Sequence, residues 1–134
     1  MAPVLDLVGL VTHDLAASLA FYRRLGLDLP EPTGPDDHVE TTLAGGLRLA
    51  WDTVEVIRSF TPDWTEPSGA ARISLAFRCA DASEVDATHA ALVAAGHRSA
   101  HEPWDAPWGQ RYATVLDPDG NPVDLFAWSP GAQS

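Results

Sequence analysis

Lysine is absent from this sequence, and only one of its 134 residues is a cysteine. All eight basic residues are therefore arginines, and they face 19 acidic residues, which gives a formal net charge of -11. Nucleic acids and anionic membrane surfaces are poor partners for such a chain, because phosphate groups need clustered positive charge. The single cysteine, Cys79, excludes an internal disulfide and favours a reducing compartment.

Long hydrophobic runs are also missing. No apolar run approaches the roughly 20 residues that cross a bilayer, and the N-terminal residues lack the basic stretch and apolar run of a signal peptide. We therefore expect a cytoplasmic protein. With 46% hydrophobic and 20% charged residues, the composition is that of one globular domain with an ordinary core.

The two halves of the chain follow one plan. In each half an apolar run leads to an aspartate that suits a helix N-cap, Asp14 or Asp81, and then to apolar residues at helical spacing. Gly26 and Gly96 are typical of helix ends, and a G-x-R-x-A segment follows in each half, at 46–50 and 109–113.

This repeat predicts an α+β fold of two βαβββ modules, residues 1–66 and 67–134, which together form one compact domain. Residues 61–69 are rich in turn formers and are predicted to link the modules. Residues 117–122, with the sequence Asp-Pro-Asp-Gly-Asn-Pro, predict a tight turn between two strands. Pairing the modules would cover the exposed edges and faces of their sheets.

Two motifs carry a resemblance to a known superfamily. Residues 14–26 read D-L-x-x-S-x-x-F-Y-x-x-L-G, and residues 117–126 read D-P-D-G-N-x-x-D-L-F. Together they resemble the glyoxalase, bleomycin-resistance and dioxygenase superfamily. The resemblance implies paired βαβββ modules that form partly open barrels around a cavity, usually in a homodimer.

A closer resemblance is to the mitomycin-resistance group of antibiotic-binding proteins, and it rests on residues 45–55, 103–113 and 123–127. In that group a planar drug is sequestered unchanged, between an aromatic residue of one subunit and a histidine-bearing loop of the other. Trp108 and His38 match those two positions. The resemblance therefore implies a binding protein, with one planar natural product held in each cleft at the dimer interface.

Most enzymes of the superfamily hold a divalent metal with His and Glu side chains. The matching positions in this sequence are Leu7, Ser74 and Asp124. A leucine cannot ligate a metal, and a serine hydroxyl is a poor ligand for such ions. We therefore predict no metal, no cofactor and no catalytic residue.

Five tryptophans are many for a chain of this length. Trp104 and Trp108 lie four residues apart in a proline-containing segment that we expect to be a loop, and an indole offers a large rigid face to a ligand. Asp52 and Asp124 could accept hydrogen bonds from the ligand, and Arg111 or Arg78 is the expected partner of Asp124. The predicted ligand-binding residues are His38, Leu49, Trp51, Asp52, Trp104, Trp108, Arg111, Tyr112, Asp124 and Phe126.

Two other functions remain open at this point. One is a metal-free enzyme of the same superfamily, similar to a lyase or isomerase, with Asp124, Tyr112 or His38 as acid or base. The other is a scaffold or regulatory subunit that binds no small molecule.

Overall fold

The computed structural model describes residues 2–131, and the chain divides into two compact units, the first ending at Ser68 and the second beginning at Gly69. The predicted α+β class is confirmed, since three helices accompany a three-stranded and a four-stranded sheet. None of these helices is long and apolar enough to cross a membrane. In chain order the elements are β1 (Leu7–Thr12), α1 (Leu15–Arg24), β2 (Val39–Thr42), β3 (Arg48–Thr53), α2 (Val54–Phe60), β4 (Leu75–Arg78), α3 (Ala82–Ala94), β5 (Arg98–Ala106), β6 (Gln110–Leu116) and β7 (Pro122–Trp128).

Both long helices begin at the aspartates that the sequence predicts. The Asp14 carboxylate accepts a hydrogen bond from the Ala17 N–H at 3.0 Å, and that of Asp81 accepts one from the Glu84 N–H at 2.9 Å. Each aspartate thus satisfies a backbone donor that has no partner within the helix. Gly26 follows the end of α1 with a φ of +94°, a conformation that favours glycine and ends the helix.

The first unit has fewer strands than predicted. Its sheet has the order β1-β3-β2, with β1 parallel and β2 antiparallel to β3. The βαβββ plan predicted three strands after α1, but only β2 and β3 follow it in this unit, and residues 27–38 form no strand. This segment contains Pro30, Pro32 and Pro35, and a proline has no N–H to donate to a neighbouring strand. After β3 the chain enters α2, where the Thr53 hydroxyl accepts the Val56 N–H at 3.2 Å.

The second unit is a complete βαβββ module. Its strands have the order β4-β7-β6-β5, with β4 parallel to β7 and the other pairs antiparallel. The predicted turn between β6 and β7 is present. There the Asp117 carboxylate accepts hydrogen bonds from the N–H groups of Asp119 and Asn121 and from the Asn121 side-chain amide, at 2.9–3.0 Å.

The topology corrects the correspondence that we drew from the two G-x-R-x-A segments. One segment leads into β3, which pairs in parallel with the first strand of its unit. In the second unit that place belongs to β7, whereas the other segment leads into β6, which pairs antiparallel on both sides. The shared letters therefore belong to strands with different places in the two sheets.

Each sheet has a helix-facing side and an opposite side, which we call the open face. In the first unit the Tyr22 ring of α1 contacts Trp51 of β3 edge-on at 5.3 Å, so Leu49 and Trp51 face the helix. In the second unit Arg111 of β6 bonds to Asp86 of α3 at 2.9 Å, which fixes the helix-facing side of that sheet. The alternate residues of each strand, together with their cross-strand neighbours, lie on the open face.

Candidate functional site

Six aromatic rings gather on the open face of the second unit. Trp104 and Tyr112 are register partners on β5 and β6, and Tyr112 is the register partner of Phe126 on β7. Trp108, in the turn between β5 and β6, meets both Trp104 and Tyr112 edge-on, with ring centroids 5.5 Å apart in each case. We call this group the aromatic face: His101, Trp104, Trp108, Tyr112, Phe126 and Trp128.

Trp108 is exposed but held in place. It is 54% exposed, which is unusual for a tryptophan in a folded unit. Its indole N–H donates to the Gln110 side-chain oxygen at 2.7 Å, and Gln110 is itself buried. This hydrogen bond and the two ring contacts fix the indole, so the flat side that remains in solvent is preorganised to receive another ring.

The sequence segment that carries these tryptophans is not the loop that we expected. Strand β5 runs to Ala106, so Trp104 and His101 are strand residues and only Trp108 lies in a turn. The pairing of β5 with β6 shifts register between Ser99 and His101 and again between His101 and Trp104. Such irregularities redirect side chains on an edge strand, and here the His101 and Trp104 rings lie 5.1 Å apart.

A carboxylate surrounded by hydroxyl groups borders the aromatic face. Asp124 is 8% exposed. Its Oδ2 accepts hydrogen bonds from the hydroxyls of Tyr112 at 2.7 Å and Ser74 at 3.1 Å, and its Oδ1 accepts one from Thr114 at 2.7 Å. We call these four residues the Asp124 cluster.

The same cluster fixes the protonation of Tyr112. Burial, followed by the hydrogen bond to Asp124 and the negative charge of that carboxylate, raises the pKa of Tyr112 to about 12. Its phenol is therefore protonated at neutral pH and donates to Asp124. Among residues 2–131, the hydrogen-bond partners of Asp124 are hydroxyl groups and not an arginine, in contrast to the pairing that we considered from the sequence.

The residues at the superfamily's metal positions do not fit a metal ion. Leu7 has no donor atom, and the Ser74 hydroxyl donates its hydrogen to Asp124. The Asp124 carboxylate, the one remaining candidate ligand of these three positions, already accepts three hydrogen bonds. Within residues 2–131 no group of three or more His, Cys, Asp or Glu side chains is arranged to hold a metal. No chemical step through a metal can be derived from this set of donors.

The open face of the first unit is charged. His38 Nδ1 lies 2.7 Å from Asp52, and His38 Nε2 lies 2.7 Å from Glu40. Arg48 continues the network, with hydrogen bonds of 2.7 Å to Glu40 and to Asp6. Two predicted site residues, His38 and Asp52, thus contact each other directly.

This network changes the titration of its members. The pKa of His38 is raised above its ordinary value of 6.5, mainly by the hydrogen bond to Glu40 and next by the hydrogen bond to Asp52. The same contact, together with Arg48, lowers the pKa of Glu40 below its ordinary 4.5. Only the protonated imidazole can donate from both nitrogens at once, so the geometry favours a charged His38.

Two other predicted site residues belong to the core of the first unit. Leu49 is 3% exposed and Trp51 is fully buried, and both face α1. Their side chains support the sheet from the helix-facing side, and neither lies on the open face with His38 and Asp52.

Arg111 is also on the helix-facing side, in the second unit. Its guanidinium bonds to Asp86 of α3 at 2.9 Å and to Asp105 at 3.3 Å. Both contacts raise the pKa of Arg111, and the contact with Asp86 has the larger effect. Arg111 thus lies on the side of the sheet opposite the aromatic face, where the other predicted residues of this unit gather: Trp104, Trp108, Tyr112, Asp124 and Phe126.

Sequence reasoning missed several members of this site. Thr114 and Gln110 lie two residues on either side of Tyr112, and Trp128 lies two residues beyond Phe126. The period of two in a strand would have found them once one residue of each strand was placed on the open face. His101 gave no such signal, because the register of β5 shifts around it.

Comparison with known proteins gives a family and a fold. The family model described as Glyoxalase/Bleomycin resistance protein/Dioxygenase superfamily matches residues 4–125. Among solved structures, the chain is similar to a glyoxalase/bleomycin resistance protein/dioxygenase from Nocardioides, with 29% identity, a TM-score of 0.76, and coverage of 99% of this chain and 88% of that chain.

More distant structures share the fold alone. A glyoxalase-related enzyme from Fulvimarina pelagi is 24% identical, with a TM-score of 0.79 over 94% of this chain and 88% of that one. A lactoylglutathione lyase from Agrobacterium tumefaciens is 21% identical, with a TM-score of 0.66 over 94% of each chain. No curated protein matches the chain. The closer resemblance to mitomycin-resistance proteins stays a prediction.

Proposed function

We propose that this chain, which belongs to the glyoxalase/bleomycin resistance protein/dioxygenase superfamily, binds and sequesters a planar aromatic natural product without changing it. The ligand would stack on the aromatic face of the second unit. Candidate ligands are antibiotics with a mitomycin-like quinone or a quinoline-type ring. The superfamily contains both enzymes and binding proteins, and the residues of this site favour binding.

The observation that carries this proposal is the state of Trp108. An indole that is 54% exposed, yet anchored by Gln110 and by two ring contacts, offers a flat apolar surface at little ordering cost. A tryptophan that only filled the core would be buried, as Trp51 is. The neighbouring rings extend this surface to the size of a bicyclic ligand.

The energetics of stacking are sufficient for sequestration without a metal. Burying roughly 300 Å² of apolar surface contributes about 7 kcal/mol, and each favourable ring contact adds about 0.5–1.5 kcal/mol. Association and ordering costs remove a large share of this total. The expected complex has a micromolar or somewhat lower dissociation constant.

The donor set supports binding over the metal-dependent reactions of the superfamily. Such reactions use the metal as a Lewis acid or redox centre, and the Leu7, Ser74 and Asp124 side chains do not supply a ligand set for one. The Tyr112 phenol donates its proton to Asp124 at 2.7 Å, so its oxygen lone pairs can accept a hydrogen bond from a ligand.

A homodimer is part of the proposal. A ring stacked on one sheet face exposes its other face to water, and a second copy of the chain could cover it. The resemblance to the mitomycin-resistance group implies that His38 of that second copy contacts the ligand. Size-exclusion chromatography with light scattering, with and without ligand, tests this part separately.

Titration calorimetry with a panel of planar compounds, led by mitomycin C and 3-(methylamino)quinoline, tests the function. Trp108→Ala should weaken the binding of a hit by at least about 1 kcal/mol, or roughly fivefold, because one ring contact is lost. EDTA should leave the affinity unchanged. Trp64→Ala is the matched control, since it also removes a tryptophan but one of the first unit, which packs against Arg58.

Three outcomes would contradict the proposal: no binding across the panel, equal affinities for Trp108→Ala and the parent, or binding abolished by EDTA. Mass spectrometry of the incubated compounds adds a fourth check. A converted product would favour the metal-free enzyme over the binding protein.

A further inference from the structure

The hydroxyl groups of the Asp124 cluster all direct their hydrogens at the same carboxylate. A hydroxyl carries one hydrogen and two lone pairs. Ser74, Tyr112 and Thr114 each donate that hydrogen to the Asp124 carboxylate, at 3.1, 2.7 and 2.7 Å. Their three oxygens therefore keep only lone pairs for any further partner.

The carboxylate, too, can only accept hydrogen bonds from a ligand. Its two oxygens have about four acceptor positions, and three are occupied by the hydroxyls. The cluster thus has oxygen lone pairs to offer and no hydrogen, so it can receive donors but cannot satisfy the carbonyl or carboxylate of a ligand. The alternative, a hydroxyl turned toward the ligand, would withdraw a hydrogen bond from a carboxylate that is 8% exposed, which is unfavourable.

The wider electrostatics agree with this preference. The chain carries a net charge of -11, which attracts cations and repels anions. Two arginines lie on strands of the second unit with side chains on the open face: Arg98, the register partner of Leu116, and Arg78. Arg78 is exposed and is the register partner of Phe126, two residues along each strand from the Ala76–Asp124 pair. An anionic ligand would be attracted to these arginines, whereas the Asp124 cluster offers it no hydrogen.

From this arrangement we infer that the ligand is a planar ring that carries N–H donors, as an aromatic amine does, and that its donors point at the Asp124 cluster while the ring stacks on the aromatic face. This inference rests on the proposed function, because it names the class of ligand for the same site. It also makes the Asp124 cluster the part of the site that selects among flat molecules, while the rings supply affinity without selection.

A pair of isosteric probes separates donor recognition from stacking. 3-(Methylamino)quinoline and 3-methoxyquinoline have the same ring and nearly the same size, and both are uncharged at mildly alkaline pH, but only the first has an N–H. We expect calorimetry to show the methylamino compound binding about tenfold more tightly, the value of one hydrogen bond to this cluster. Quinoline-3-carboxylate should bind most weakly of the three.

Asp124→Asn tests the cause of the preference. An amide presents donors as well as an acceptor, so at least one hydroxyl is released to turn its hydrogen toward the ligand. The affinity ratio of the two isosteres should then fall toward one. Asp105→Asn is the matched control: it removes the same charge in the same unit but on the helix-facing side, beside Arg111, and the ratio should be unchanged.

The outcomes distinguish this inference from the proposed function. Equal binding of the two isosteres to the parent protein, or tightest binding of the carboxylate, overturns the inference and leaves ring stacking intact. A ratio that falls equally in Asp105→Asn would also overturn it, because a general charge effect would then suffice. If no quinoline binds, the proposed function fails first. If circular dichroism shows that Asp124→Asn does not fold, the isosteres on the parent protein still decide the question.

Discussion

The two units share a plan and differ in what they present on their open faces. In each unit, the strand that comes first in the chain runs parallel to the strand that comes last, β1 to β3 and β4 to β7, and a helix covers one side of the sheet. The first unit displays charged groups, centred on His38 and Arg48, while the second displays the aromatic face. The topology therefore depends on the helix-facing residues, and the open faces are free to differ.

This contrast is clearest for two tryptophans to which sequence reasoning gave the same role. Trp51 is fully buried and faces a helix, whereas Trp108 is 54% exposed and faces away from one. The first contributes to stability and the second is available for contact with a ligand. Exposure and side of the sheet, more than residue type, separate the two roles.

The largest expected effect is therefore on the stability of the first unit. Trp51→Ala should lower the free energy of unfolding by about 3–5 kcal/mol, the usual loss for a large buried aromatic side chain. Urea denaturation followed by circular dichroism measures it. Trp108→Ala, the control, should cost less, about 2 kcal/mol, because about half of its surface already meets solvent.

A second variant at the same position refines this prediction. The Trp51 indole N–H has no hydrogen-bond partner among the described residues. Trp51→Phe keeps a ring against Tyr22 and removes that unpaired donor, so its cost should be clearly smaller than that of Trp51→Ala. Equal losses for Trp51→Ala and Trp108→Ala would mean that the two tryptophans are not separated as described.

Much of the fold was predictable because local chemistry decides it. Asp14 and Asp81 accept backbone N–H groups as N-caps, and Asp117 closes the turn before β7. These are contacts between residues two to four apart, so the sequence alone contains both partners. The βαβββ plan overestimated the number of strands in the first unit for a local reason too, since the prolines of residues 27–38 lack the N–H groups that a strand donates.

The candidate site was less predictable, because alternation groups side chains without saying which group meets the helix. In β3 the alternation is informative, because the apolar Leu49 and Trp51 alternate with Arg48 and Asp52, and this pattern favours buried positions for Leu49 and Trp51. In β7 the alternate sets are both apolar in part, with Leu125 on one side and Phe126 on the other. Only the position of α3 decides between them, and that is a tertiary contact.

Arg111 gives a test of this assignment with a moderate expected effect. Arg111→Gln removes the ion pairs with Asp86 and Asp105 on the helix-facing side. Because these carboxylates are well exposed, we expect the melting temperature to fall by at most about 3 °C. Ligand affinity in calorimetry should be unchanged. A loss of affinity comparable with that of Trp108→Ala would return Arg111 to the binding site and contradict its position in the sheet.

The smallest expected effect is a pH dependence in the first unit. The pKa of His38 is raised in the folded chain by Glu40 and then Asp52, so protonation of His38 stabilises the fold. This contribution is fully present below the ordinary pKa of 6.5 and is lost as the pH rises through the raised value. The lowered pKa of Glu40 adds stability above its ordinary 4.5, and this part is lost as the pH falls through the lowered value.

His38→Gln should therefore flatten the stability profile on the alkaline side of this window. Relative to the parent, the variant should lose about 1–2 °C of melting temperature near pH 5.5 and almost none near pH 9, since the ion pairs are partly exposed. Thermal unfolding across pH measures the difference, with His101→Gln as the control, because the hydrogen bond of that histidine is to a backbone carbonyl and not to a carboxylate. A constant difference at all pH values would show that His38 acts through packing, and the charged open face would then have no electrostatic role in the stability of its unit.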